Sequence, residues 1–181
     1  MKRNSWLILS ATIIAFTGVG CSNPFFANFF APLGEDTSLQ GTVTVTFVNN
    51  TNYRVTTYWG VYNPLDLTRN VVARKLVLEA GQSGEPLTGF CTRQIDVAGP
   101  DLRFVVRESG ISDVNYTQIN DKIKFSTVIE GTEVETVGTA DPGQFHIGVD
   151  FECGDTVEIH FKQDAQTKAF SVEMVVVTEE D

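Results

Sequence analysis

Basic residues are scarce in this sequence, its apolar runs are short, and cysteine occurs three times in 181 residues. Thirteen Lys and Arg stand against 23 Asp and Glu, a formal net charge of −10. Such a surface repels phosphates and anionic headgroups at long range, and no stripe of Lys and Arg offsets it, so nucleic acid is excluded as a partner. No apolar run reaches the roughly 20 residues of a spanning helix. A Gly-x-x-x-x-Gly-Lys phosphate loop is missing, and so is a Gly-x-Ser-x-Gly nucleophile elbow. Gly81-Gln82-Ser83-Gly84 has the wrong spacing for the latter, which leaves Ser83 as a turn residue. No catalytic residue and no cofactor is assigned, and the chain reads as a non-enzyme.

At 42% hydrophobic, with 13 Phe, the chain has enough apolar material for one globular domain with a packed core. Lys2 and Arg3 are the only charges among the first 20 residues. They precede the apolar run Trp6–Thr17 and the small residues Gly18-Val19-Gly20, the three-part layout of an export signal. Removing that segment leaves a domain with a net charge of −12.

Gly18-Val19-Gly20-Cys21 resembles the lipobox of bacterial lipoproteins. The resemblance covers the leader alone. It implies cleavage before Cys21, a diacylglycerol on the Cys21 sulfur, and a domain held outside the cytoplasm at a membrane surface, the outer membrane or cell surface above all. Acyl chains contribute about 0.8 kcal/mol per buried methylene, so several on one cysteine anchor a protein stably. The expected organisation is a signal peptide over 1–20, a Phe-rich tether over 21–40, a β domain over 41–178 and an acidic tail over 179–181. The rings of Phe25, Phe26, Phe29 and Phe30 have two readings: they lie in the membrane interface, or they pack on the domain.

From Gly41 onward the apolar period is two, and the residues lean to Val, Thr, Phe and Ile, as pleated strands do. Val43, Val45 and Phe47 alternate with Thr42, Thr44 and Thr46. Asn49–Asn52 reads as the turn of a first hairpin joining 41–48 to 53–62. Further strands are expected at 71–79, 90–97, 102–107 and 122–129, then a loop with a short strand over 130–142, a strong hairpin joining 145–152 to 157–161, and a last strand at 169–178. No amphipathic helix is expected. Eight or nine strands with no helical crossover give an all-β, antiparallel β-sandwich of Greek-key or related topology, with a small β-barrel as the alternative. Val45–Thr51, Val55 and Tyr58-Trp59 faintly resemble the opening strands of immunoglobulin-like and transthyretin-like sandwiches, a likeness of fold only.

With Cys21 lipidated, Cys91 and Cys153 remain, and an oxidising compartment favours their pairing, with two buried thiols as the alternative. His146 and His160, near Asp150, Glu152 and Glu158, are weak metal candidates without a third ligand. Asp141, Asp150, Glu152 and Asp155 suit oxygen-ligated calcium only in the loosest way, and their charge serves solubility. Paired carboxylates such as Glu133 and Glu135 lack the burial that acid/base chemistry requires. Together these features describe a membrane-anchored binding or interaction module for an unknown protein or envelope ligand. A structural envelope protein and a small secreted hydrolase are the alternatives. Tyr58, Trp59 and Tyr62 are the aromatic candidates for an exposed binding patch, with Trp59 more readily a core residue.

Overall fold

The alternation of Val43, Val45 and Phe47 with threonines places three apolar side chains on one face of the first strand, and all three are buried. The structure, a computed structural model, describes residues 41–177. Cys21, the Phe-rich tether and the acidic tail lie outside the described residues. Strands β1 (Thr42–Asn49), β4 (Leu87–Phe90), β9 (Thr156–Gln163) and β10 (Phe170–Val177) form one sheet in the order β10-β9-β1-β4. The second sheet is built on β2 (Arg54–Tyr62), which pairs along one edge with β3 (Val72–Leu78). Its other edge is shared by β6 (Ile123–Ile129) and β5 (Gln94–Val97), which carry β7 (Thr132–Ala140) and β8 (Gly143–His146) in turn. The two sheets pack face to face as a β-sandwich, as expected, and do not close into a barrel.

Strand pairing departs from the expected hairpins. β1 and β2 lie in different sheets, because the chain between them crosses the sandwich around the buried side chain of Asn49. Its Nδ2 donates to the carbonyls of Tyr53 and Glu79, both at 2.8 Å, and its Oδ1 accepts from the backbone and hydroxyl of Thr51. The apolar faces of β1 and β2 therefore meet across the core, with Phe47 and Trp59 ring centroids 5.1 Å apart. β8 and β9 are likewise in different sheets, and β9 pairs with β10 and, in parallel, with β1. The strand expected at 90–97 is two short strands, β4 and β5, separated at Cys91-Thr92-Arg93 and placed in opposite sheets. Over 130–142, β7 is a nine-residue strand rather than mostly loop, and follows a turn in which Glu130 and Gly131 have φ of 49° and 79°.

The expected strand at 102–107 is a helix, α1 (Gly99–Ser109). Pro100 in the first turn, Asp101 beside it, Arg107 in the last turn and Gly110 in the left-handed conformation are the local causes. Leu102, Val105 and Val106 bury one face at the i, i+3, i+4 spacing of a helix. Alternation of Leu102, Phe104 and Val106 suggested a strand, but Phe104 is half exposed. α1 lies on the outer face of the second sheet, where Leu102 and Val106 join Tyr58, Ala73, Val114 and Ile119 in a small second core. Gly60 permits that approach: a methyl there would sit 2.5 Å from Leu102 Cδ1 and 3.0 Å from the Val72 carbonyl oxygen.

Candidate functional site

The two sides of the sandwich differ. On the β10 and β7 side, Phe170 stacks on Phe125 at 4.1 Å and lies over Gly138, where no side chain would fit. Facing apolar groups fill the gap between the sheets there. On the opposite side both edge strands, β3 and β4, pair on one side only, and between them runs a groove of about 420 Å³.

The register of the strands explains its lining. Val43 and Val45 on β1 face inward, and the β4 residues opposite them are Gly89 and Leu87. Trp59 and Val61 on β2 face the same core, opposite Arg74 and Val72 of β3. All eight line the groove, with Phe90 and Pro86 at its side. Gly89 stands where alternation places an inward side chain; a β-carbon there would meet nothing within 4 Å, so the missing side chain leaves open space. Phe90 is 75% exposed, the largest exposure of any aromatic ring among the described residues. Small-molecule sites are concave and mostly apolar, with a few polar groups that orient the ligand; this groove has that composition.

Arg74 is the exposed cation of the lining. Most of the other Lys and Arg have an acidic partner: Arg54 binds Glu79 at 2.6 Å, Lys122 binds Asp141 at 3.0 Å, and Lys162 binds Glu173 at 2.7 Å. Arg103, Arg107 and Lys124 pair with Asp121, Glu108 and Glu133. Among the described residues Arg74, its neighbour Lys75, Arg93 beside the groove residue Thr92, and Lys168 in the loop between β9 and β10 make no ion pair.

A second polar group lies on the outer face of the second sheet. Asp96 is fully buried, accepting from the Tyr62 hydroxyl at 2.5 Å and from Gln94 Nε2 at 2.9 Å. Burial pushes its carboxyl above the usual carboxylate range, more strongly than those hydrogen bonds pull it down. The same burial, together with Asp96, raises the Tyr62 phenol. With Tyr62 and Gln94 filling its hydrogen bonds and the group sealed from solvent, the arrangement organises the β2–β5 pairing and offers no space for a substrate.

The other sequence-derived residues fall as follows. Cys91 and Cys153 form a disulfide, with Cα atoms 5.5 Å apart. The loop it closes contains β5, α1, β6, β7 and β8, so the bridge ties the point where the chain leaves the first sheet to the point where it returns. His146 and His160 lie on different sheets and are not brought together: His160 is held between Glu158 and Asn50, and His146 sits by Asp150. No group of three potential metal ligands occurs among the described residues. Asp150 and Asp155 accept backbone hydrogen bonds from His146 and Glu152, which fixes them as turn residues. Ser83 bridges to Val48 in the loop that extends the β1 edge. Tyr58, Trp59 and Tyr62 form no exposed patch, since all three are buried, with Trp59 on the groove's core side. Sequence reasoning missed Arg74 and Gly89; the inward glycine of Leu87-Thr88-Gly89-Phe90 was the available signal, and it required knowing which face of β4 is inward.

No helix among the described residues is long and apolar enough to cross a membrane. No family model matches the sequence, and no curated protein does. Among solved structures, the T6SS lipoprotein TssJ1 from Pseudomonas aeruginosa is similar over 77% of this chain and 98% of its own, at 10% identity and a TM-score of 0.36. The human-specific toxin intermedilysin is similar over 76% of this chain and 23% of its own, at 12% identity and a TM-score of 0.25. Likeness at that level carries no argument about function.

Proposed function

We propose that this protein is an extracytoplasmic lipoprotein, anchored through Cys21, whose sandwich binds an apolar ligand in the groove between β3 and β4. The groove carries the reading: one side of the sandwich is filled by Phe125 and Phe170, whereas the other is held open at Gly89 and bordered by exposed Phe90. Location rests on the export leader and its lipobox-like Cys21, and a disulfide suits an oxidising compartment. Nineteen residues lie between Cys21 and Gly41 at the start of β1, a reach of at most about 70 Å when fully extended.

Two measurements test the two halves. Intact mass and membrane fractionation of the full chain, expressed in a lipoprotein-competent bacterium, are compared with Cys21→Ala. The expected result is a mature mass beginning at Cys21 plus acyl chains, with both the added mass and membrane retention lost in the variant; an unmodified soluble wild-type product refutes the anchor. Binding is read with Nile red, a neutral apolar dye: emission should rise saturably with wild type and stay flat with Gly89→Leu, whose side chain fills the groove. Equal dye binding by both proteins refutes the groove as the site.

A further inference from the structure

We infer that the ligand of this groove is a single-chain amphipath with an anionic head, a long-chain fatty-acid carboxylate, its acyl chain between the sheets and its carboxylate on Arg74. The inference rests on the binding reading above and adds the chemistry of the ligand. Size is the first support. About 420 Å³ lies near the lower end of the roughly 300–1,000 Å³ of small-molecule sites, enough for one slender chain. Shape and lining follow from the fold: the slot lies between facing strands of two sheets, and Val43, Val45, Val61, Val72 and Leu87 give it aliphatic walls.

Charge is the second and more discriminating support. In a chain with 23 acidic residues most described cations are paired, as Arg54, Lys122 and Lys162 are, and the groove lining holds one cation, without an ion-pair partner among the described residues. Arg74 is that cation. The β2–β3 register puts it opposite Trp59 on the inner face, so it borders the apolar slot instead of facing away from it. Arg93 adjoins Thr92 of the lining and has no ion-pair partner among the described residues, whereas Lys75, opposite Tyr58, lies on the outer face of the sheet. A guanidinium beside an apolar slot binds a carboxylate through charge-assisted, often bidentate hydrogen bonds, which a neutral head cannot match.

The two tryptophans are Trp6, in the leader, and Trp59, on the core side of the groove, so in full-chain Trp6→Phe protein the emission reports Trp59 alone. Sodium dodecanoate, kept below its micelle concentration, is titrated against that protein, with dodecanol as the uncharged match. The expected result is saturable dodecanoate binding, weaker by roughly tenfold or more for Arg74→Gln and for dodecanol, the ratio lost with one charge-assisted hydrogen bond. Gly89→Leu should abolish the response with an unchanged urea midpoint, since its β-carbon meets no neighbour. Dodecanol binding as tightly as dodecanoate, or an unchanged affinity in Arg74→Gln, overturns the anionic head and leaves the groove reading standing. Nile red binding with no response to dodecanoate overturns the amphipath in favour of another occupant, such as an extended peptide on the β3 or β4 edge. A dodecanoate response that survives Gly89→Leu puts the site elsewhere and overturns the inference directly.

Discussion

Opening the Cys91–Cys153 bridge should cost this fold a large share of its stability, and the size follows from where the bridge lies. The two cysteines are 62 residues apart, and four strands and helix α1 lie inside the loop. For a closed loop of that length the chain-entropy relation gives about 14 cal/mol/K, or about 4 kcal/mol at 25 °C. Small domains have only about 5–15 kcal/mol in total, so the reduced protein should remain folded at 25 °C but close to its limit. The assay is urea unfolding followed by Trp59 emission in the Trp6→Phe protein, oxidised and after reduction with dithiothreitol, which leaves every side chain in place. With a slope of about 2 kcal/mol/M, the midpoint should fall by about 2 M. The double variant Cys91→Ala/Cys153→Ala should fall at least as far, since Cys91 is also buried. A shift below about 0.5 M in reduced wild type would refute the reasoning, by showing that the reduced unfolded chain already keeps the two sheets' strands close together.

Leu102→Ala should lower stability by about 3 kcal/mol, because a fully buried side chain leaves the interface that Gly60 makes possible, whereas Phe104→Ala on the exposed face should cost under about 1 kcal/mol; equal urea midpoints for the two would contradict the packing of α1. Gly60→Val should be worse than Leu102→Ala, since its side chain meets both Leu102 and the Val72 carbonyl, and a mild effect in the same assay would argue that α1 is displaced easily. Asp96→Asn tests the buried carboxylate. Its folded pKa is above the unfolded value, so its contribution is fully present below the unfolded pKa and is lost as pH rises through the folded one. Asp66, Glu133 and Asp164 have the opposite sign, held low by hydrogen bonds from Thr68, Lys124 and Thr167, and their contributions disappear on acidification. The asparagine variant, whose Oδ1 still accepts from Gln94 Nε2 while its NH2 donates to the Tyr62 hydroxyl oxygen, should be at least as stable as wild type at pH 7 and should lose less between pH 4 and pH 7; a midpoint drop at pH 7 would mean that the ionised carboxylate is favoured in place.

Much of this architecture was legible from alternation alone. The period of two in 42–49 and 156–163 marks the buried side chains correctly, because a strand exposes its two faces to different media wherever it lies in a sheet, whereas in 123–129 it holds for Ile123 and Phe125 and fails at Ile129, which is exposed beyond the register shifts of β6. Helix α1 was legible too, in Pro100, Asp101 and Gly110, but Leu102, Phe104 and Val106 satisfy both a two-residue period and, with Val105, a helical one. Five or six residues do not separate the two periods, and the end signals should have decided. The hairpins failed for a different reason. Asn49–Asn52 turns the chain in either case, and whether β2 lies beside β1 or across the core depends on Asn49 reaching the carbonyls of Tyr53 and Glu79, thirty residues apart in the case of the latter.

The amino-acid sequence by itself determined the alternation that buries Val43, Val45, Phe47, Val157, Ile159 and Phe161, and the acidic charge of the chain. Those properties depend on side-chain chemistry and local spacing. Only the tertiary structure decided which strands are neighbours, that one side of the sandwich is filled by Phe125 and Phe170, and that Gly89 and Arg74 meet along a groove on the other. Backbone hydrogen bonds are the same for every strand and carry no address, so neighbours are selected by how whole faces pack, and a groove is what that packing leaves unfilled.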